Sequence, residues 1–428
     1  MSKPKHKKPK SPSSGSKKRS YPKWLYDQRL KLMIIFGSAF LVYANALMNG
    51  FALDDAIVIT DNMFTKKGFS GVVDHFTNEL FFGFFKDESK ATLVSGGRYR
   101  PLSVAMFAME YGLFGENPFI GHLINILLYG LTGIVLFLVL SNLFRNRGET
   151  YAILLPFVAT ILYITHPIHT EVVANIKGRD EILALLGSLG ALYYILRGFG
   201  EKNSKQIIIA TGIFFLALLS KENAITFLAV VPIALIYFKK AKVLEAIKYT
   251  LPLFGASVIF LIIRSAIVPL SLGDAPRELM NNPFLKIEGN QYVDFTLGEQ
   301  LATVLYSWGY YLKLLFFPHP LSHDYYPRQI DLMTFGDWQV MLSVIVFGII
   351  GFIALRSLKT KHLLGFCAIY FLATFSIVSN LLFPIGTGMS ERFMYMASVG
   401  FSLACGYGII EGAKWLKSKG KLNASIHN

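Results

Sequence analysis

The chain has 428 residues, 53% of them hydrophobic and only 16% charged, with a mean hydropathy of +0.46. A water-soluble globule is excluded, because soluble domains carry roughly a quarter of their residues as charge, whereas a bilayer solvates an apolar exterior. The formal net charge of +15 is concentrated near the start, and the two cysteines, Cys367 and Cys405, lie in apolar runs without metal-site spacing.

Residues 1–28 read as a disordered basic cytoplasmic tail. Lys3, Lys5, Lys7, Lys8, Lys10, Lys17, Lys18, Arg19 and Lys23 stand there without an acid among them. Such a run could hold nucleic acid. Ahead of an apolar segment it reads better as an orientation signal that touches anionic lipid, so no nucleic-acid partner is expected. No small-residue cleavage site follows, so it is not read as a cleaved leader. Apolar runs of membrane-spanning size follow near 30–49, 119–143, 151–165, 181–197, 206–220, 224–238, 249–268, 300–317, 338–355, 363–383 and 394–412. Between the first two, residues 71–85 and 101–114 read as helices lying in the interface plane. Basic loops put both chain ends on the inside. That requires an even number of crossings, so 300–317 is expected not to cross. The fold class is an all-α polytopic membrane protein of about ten or eleven hydrophobic segments. Tail 1–28 precedes a membrane domain, 29–413, with large outside loops at 50–118 and 268–337; a short basic tail, 414–428, follows.

Charge near membrane depth is costly, roughly 2.5–3.5 kcal/mol per residue on insertion scales. The polar clusters here all fall on the outside face of the expected topology. Asp54 and Asp55 follow the first run; alone they read best as an acidic loop or a helix cap, and otherwise as a base or a metal ligand. Arg98 and Arg100 precede Pro101 and suit phosphate or lipid headgroups equally. His122 and Asn125 share a helical face. His166, His169 and Glu171 could bind metal or form a hydrogen-bonded cluster, and Pro167 argues against the zincin arrangement. Lys177, Arg179, Asp180 and Glu181 follow. Lys221 and Glu222, wedged between apolar runs, form an ion pair or meet a ligand. His319, His323 and Asp324 lie in the last large loop, and Glu391 and Arg392 open the final run. Together these describe one outward-facing polar cavity. That suits an enzyme handling a lipid-borne phosphate better than a transporter, which places such residues at the midplane between repeated halves.

The order of these motifs resembles the GT-C-type polyprenyl-phosphate-sugar-dependent glycosyltransferases, in particular the transmembrane-and-tetratricopeptide-repeat protein O-mannosyltransferases. The matching run is Phe51-Ala-Leu-Asp-Asp-Ala-Ile, Tyr99-Arg-Pro-Leu, Gly121-His-Leu-Ile-Asn, His166-Pro-Ile-His-Thr-Glu through Arg179-Asp-Glu, Ser220-Lys-Glu-Asn, Phe317-Pro-His-Pro through Asp324-Tyr, and Ser390-Glu-Arg-Phe. The resemblance covers about residues 35–412 and implies a GT-C-type helical bundle. It implies transfer of a sugar, mannose by kinship, from a polyprenyl phosphate to a hydroxyl acceptor on the outside face, with protein Ser/Thr the expected acceptor. No such repeats are read after the last apolar run, so a separate partner, or a small or lipid acceptor, is left open as an expectation.

On this reading Asp54, then Asp55, is the expected base for an inverting attack. Arg392, Lys221, Arg98 and Arg100 are expected to hold the donor phosphate. His122, His166, His169, Glu171, Arg179, Asp180, Glu222, Asp324 and Glu391 are expected to shape the cavity or bind sugar and acceptor. A divalent cation is left open and no other cofactor is called for. The expected location is a bacterial inner membrane with the site facing the periplasm, or the endoplasmic reticulum membrane in a eukaryote. A transporter or flippase of a lipid-linked or anionic substrate is the second reading, and a non-catalytic assembly subunit the third.

Overall fold

The computed structural model describes residues 21–86, 97–268, 282–326 and 329–419. Most of the expected N-terminal tail, and the end of the C-terminal one, lie outside them. Among the described residues six helical stretches are long and apolar enough to cross a bilayer: Gln28–Met48, Pro118–Phe144, Ile176–Glu201, Val243–Ile267, Trp338–Thr360 and Glu391–Ser418. Glu149–Ile164 and Pro167–Ala174 would make a seventh, bent by 52°. Shorter apolar helices fill in at Pro101–Phe114, Ser204–Ser220, Glu222–Phe238 and Leu363–Ser376. The protein is an all-α, multi-pass integral membrane protein.

The helices that position the site are α1 (Gln28–Tyr43), α2 (Gly71–Thr77), α3 (Phe82–Phe85), α4 (Pro101–Phe114), α5 (Pro118–Phe144), α6 (Glu149–Ile153), α7 (Leu155–Ile164), α8 (Thr170–Ala174), α9 (Arg179–Glu201), α10 (Ser204–Ser220), α11 (Phe227–Phe238), α12 (Val243–Ile267), α13 (Leu297–Phe316), α14 (Trp338–Thr360), α15 (Leu363–Ser376) and α16 (Met394–Ser418). Proline at the first turn starts α4 and α5, where its missing N–H is no loss. Helix α9 packs on α10 and α5, while α16 lies between α7 and α15. Without a hydrophobic drive between helices in lipid, close approach depends on small residues. At Gly400 a Cβ would fall 2.8 Å from the Cys367 carbonyl oxygen, so α16 meets α15 backbone to backbone. Tyr43, Tyr129, Tyr163 and Tyr395 are buried between α1, α5, α7 and α16. A two-stranded hairpin, β1 (Leu285–Glu288) and β2 (Gln291–Asp294), pairs Leu285 with Asp294 and Glu288 with Gln291.

Two expectations meet a different local structure, and a third agrees with it. The run at 71–85 is not one helix, because α2 ends at Thr77. The Glu79 carboxylate then accepts from the Phe81 (2.7 Å), Phe82 (3.2 Å) and Arg98 (3.0 Å) amides and starts a separate turn. The run at 363–383 is helical only to Ser376. Beyond it Asn380, at a left-handed φ of 58°, donates to the Thr387 and Gly388 carbonyls and accepts from the Ile385 amide, folding the chain into a loop. The run at 300–317, expected not to cross, falls in α13 as far as Phe316, a 20-residue helix that is not among those apolar enough to span.

Candidate functional site

The loop after α1 turns at Leu53, whose φ is 50°, and delivers two carboxylates with different surroundings. Asp55 is 1% exposed and accepts from the amides of Ala52 (2.9 Å) and Lys177 (2.8 Å). It therefore ties its own turn to the one at Ile176–Gly178. Asp54 keeps a third of its side chain exposed, 3.2 Å from Lys177 Nζ and 3.6 Å from an Arg392 nitrogen. Lys177 is aimed by a tight turn: Asn175 Oδ1 also accepts from its amide, and a Cβ on Gly178 would fall 2.1 Å from the Val172 carbonyl oxygen.

From Lys177 the ion pairs run on without a break. Its Nζ is 3.9 Å from Asp180, which Arg100 meets at 2.8 Å. Arg100 also grips Glu222 through Nε (3.0 Å) and a terminal nitrogen. Lys221 lies 3.8 Å from Asp180 and pairs with Glu181, whose other oxygen accepts from Asn223 (2.8 Å). On the far side Glu171 takes Arg392 by its amide (2.8 Å) and guanidinium (3.0 Å), and the Ser390 hydroxyl at 2.7 Å. Arg98 makes no ion pair among the described residues; its guanidinium stands over the Phe81 ring at 5.6 Å. Loops from five places in the sequence thus meet in one network.

Two cavities open on this network. The first, of about 580 Å³, is lined by Asp54, Phe81, Phe284, Phe295, Asp324 and Tyr326 among others. The second, of about 480 Å³, is lined by Lys221 and Glu222 and by an apolar wall that includes Phe260, Leu261, Val378 and Phe383. Arg98, Arg100, Lys177 and Arg392 line both.

The electrostatics follow the contacts. The Lys177 ammonium, with Arg392 behind it, holds the Asp54 carboxyl well below the usual carboxylate range against the opposing effect of burial. Burial pushes Asp55 up, and its two amide donors oppose that. Burial and the neighbouring Arg100 and Arg392 lower Arg98 to about 10, so it remains cationic at neutral pH.

Several expected residues stand behind the cavity walls. Arg179 is fully buried, pairs with Glu110, and donates to Asn125 (2.9 Å) and the Gly121 carbonyl (3.1 Å), tying α9 to α4 and α5. His169 joins the hydroxyls of Tyr129 and Ser398, each at 2.8 Å. The His166 ring donates from Nε2 to the Leu315 carbonyl (2.9 Å), and the Ile168 amide donates to its Nδ1. His122 faces the Gly50 carbonyl at 3.4 Å. Glu391 accepts from the Ser322 amide (2.7 Å) and the Tyr325 hydroxyl (2.9 Å), holding the loop that carries Asp324. Lys177 and Glu181 are network residues given no role from the sequence, and Lys177 is the one that touches both Asp54 and Asp180. Its only signal was its place in the run between His166 and Glu181.

A protein-held divalent cation does not fit these residues. Asp54 is taken by two cations and Asp55 faces two amides, so the pair does not converge. Among the described residues no three His, Cys, Asp or Glu side chains gather as ligands.

The resemblance read from the motifs is borne out by known proteins. Human protein O-mannosyl-transferase TMTC3 is 27% identical over 407 residues, covering 88% of this chain and 42% of the relative. Caenorhabditis elegans protein O-mannosyl-transferase F38B6.6 is 26% identical over 379 residues, 87% of this chain and 50% of the relative. Mouse protein O-mannosyl-transferase TMTC4 is 27% identical over 436 residues, 92% and 57% respectively. The chain spans about half the length of the curated relatives it matches. No family model and no solved structure matches.

Proposed function

We propose, from this similarity and the geometry above, that the chain is a membrane glycosyltransferase. It moves a sugar, mannose by kinship, from a polyprenyl phosphate to a hydroxyl of a protein Ser or Thr. The observation that carries the reading is the pair of cavities sharing one wall of cations, one holding Asp54 and the other bounded by Glu222 and an apolar wall. A lipid tail suits the apolar cavity, its phosphate the shared wall, and the sugar with its acceptor the cavity of Asp54. The reaction faces the side opposite the basic chain ends: the periplasm in a bacterium, the endoplasmic reticulum lumen in a eukaryote.

Phosphate is a good leaving group, so no strong acid is required. The acceptor oxygen attacks the anomeric carbon and inverts it. The bond to the phosphate oxygen breaks, its electron pair leaves with the polyprenyl phosphate, and the acceptor proton passes to Asp54. Arg392, Lys177, Arg98 and Arg100 offset the charge that develops on the leaving phosphate. Glu171, Asp180 and Glu222 hold these cations, and Lys221 acts through Asp180 and Glu181.

The test uses purified protein in nanodiscs, radiolabelled polyprenyl-phosphate mannose and a Ser/Thr peptide. Wild type is expected to label the peptide and Asp54→Asn to lose roughly 10²–10⁴-fold in rate, the usual share of a positioned base. No labelling by folded wild type across several donor sugars would overturn the proposal in favour of transport.

A further inference from the structure

Resting on that reading, we infer that Asp54 and the donor phosphate compete for the same two cations, Lys177 and Arg392, so that donor binding frees Asp54 and the substrates bind in order, donor first.

The contrast between the two neighbouring carboxylates carries the argument. Asp55 is anchored by two backbone amides. Among the described residues the Asp54 carboxylate is held by Lys177 and Arg392 alone, both ion pairs. A group held only by charge is released when another anion satisfies its partners. Lys177 is built to receive one. Its side chain is 8% exposed, and its Nζ meets Asp54 at 3.2 Å and Asp180 at 3.9 Å, so at least one of its three N–H donors has no acceptor among the described residues. A buried ammonium with unclaimed donors needs a further acceptor. It lines both cavities, as Arg392 does, so a phosphate arriving from the side of the apolar wall comes within reach of both. Arg392 keeps its grip on Glu171 throughout and so holds its position while exchanging Asp54 for phosphate.

The exchange also resolves a chemical conflict. A carboxylate paired with two cations is a weak proton acceptor, and the proposed reaction asks it to take a proton from an alcohol. Once phosphate neutralises the cations, Asp54 faces the acceptor with its basicity restored. Lys177 is thus a phosphate ligand as well as the latch on Asp54. An acceptor that arrives before the donor meets a base already occupied.

The test measures binding of a short-chain polyprenyl phosphate to the full chain in nanodiscs, with the matching uncharged polyprenol as control. Asp54→Asn is expected to bind the phosphate about tenfold more tightly than wild type, because the competing carboxylate is gone. Its affinity for the alcohol stays the same. Lys177→Met is expected to bind the phosphate about tenfold more weakly. A Ser/Thr peptide should bind wild type measurably better once polyprenyl phosphate is present. Unchanged or weaker phosphate binding by Asp54→Asn overturns the inference, and that variant decides the matter even if Lys177→Met misfolds. If wild type does not prefer the phosphate to the alcohol, the proposed function falls with it.

Discussion

At the scale of single residues, charge placement separates groups that look alike in the sequence. Asp54 and Asp55 are adjacent, yet one is held below the usual carboxylate range by Lys177 and the other is raised by burial. The lowered group is ionised over the whole working range and would lose its charge only as pH falls far into acid. Removing Lys177 takes away the largest influence holding it down. We therefore expect the acid limb of kcat/KM against pH to move upward in Lys177→Met, toward ordinary carboxylate values. Arg179 belongs to a different class. Its partners Glu110 and Asn125 are left unmatched in Arg179→Ala, and breaking a buried pair on one side costs about 3–5 kcal/mol. That variant should lose folded protein in size-exclusion chromatography, with part recovered when Glu110→Ala is added.

At the scale of elements, turns rather than spans carry the chemistry. The Ile176–Gly178 turn aims Lys177 and gives its amide to Asp55. Gly178→Ala sets a Cβ against the Val172 carbonyl oxygen. Overpacking of this kind costs about 1–3 kcal/mol, and the expected result is a lower melting temperature together with weaker polyprenyl phosphate binding. The spans themselves were legible in the sequence, because a bilayer demands long apolar runs and little else there. Runs ended by polar side-chain caps were not: the Asn380 loop is apolar enough at Leu381–Phe383 to pass for a span. Arg98, Arg100, Lys221 and Arg392 could be gathered from the sequence because their charge is costly at that depth. The pairing of Glu110 with Arg179 could not, since Glu110 stands alone in an apolar helix with no local signal of its partner. Lys177 was hidden for the opposite reason, in a run where His166, His169, Glu171, Arg179, Asp180 and Glu181 also looked able to contribute.

At the scale of the molecule, two cavities meet at four cations, which on the proposed reading keeps the two substrates apart until they reach that wall. The apolar cavity lies between α12 and the chain after α15, where Leu261 is partly exposed. Leu261→Trp narrows that passage. It is expected to raise KM for a long-chain polyprenyl donor several-fold more than for a short-chain one, with kcat little changed, in transfer assays with both donors. Equal effects on both chain lengths would argue that the tail lies elsewhere.

The unbroken network described above has a consequence for selectivity. Arg98, Arg100, Lys177, Lys221 and Arg392 stand among Asp54, Glu171, Asp180, Glu181 and Glu222, so their formal charges cancel. A neutral enclosure exerts little pull on anions dissolved in the surrounding fluid, since no net field reaches past a screening length of about 8 Å. Free phosphate and soluble sugar nucleotides are therefore not drawn in. An anion towed laterally by its own hydrocarbon tail needs no such attraction, and the membrane itself becomes the filter that decides which phosphates the protein ever encounters.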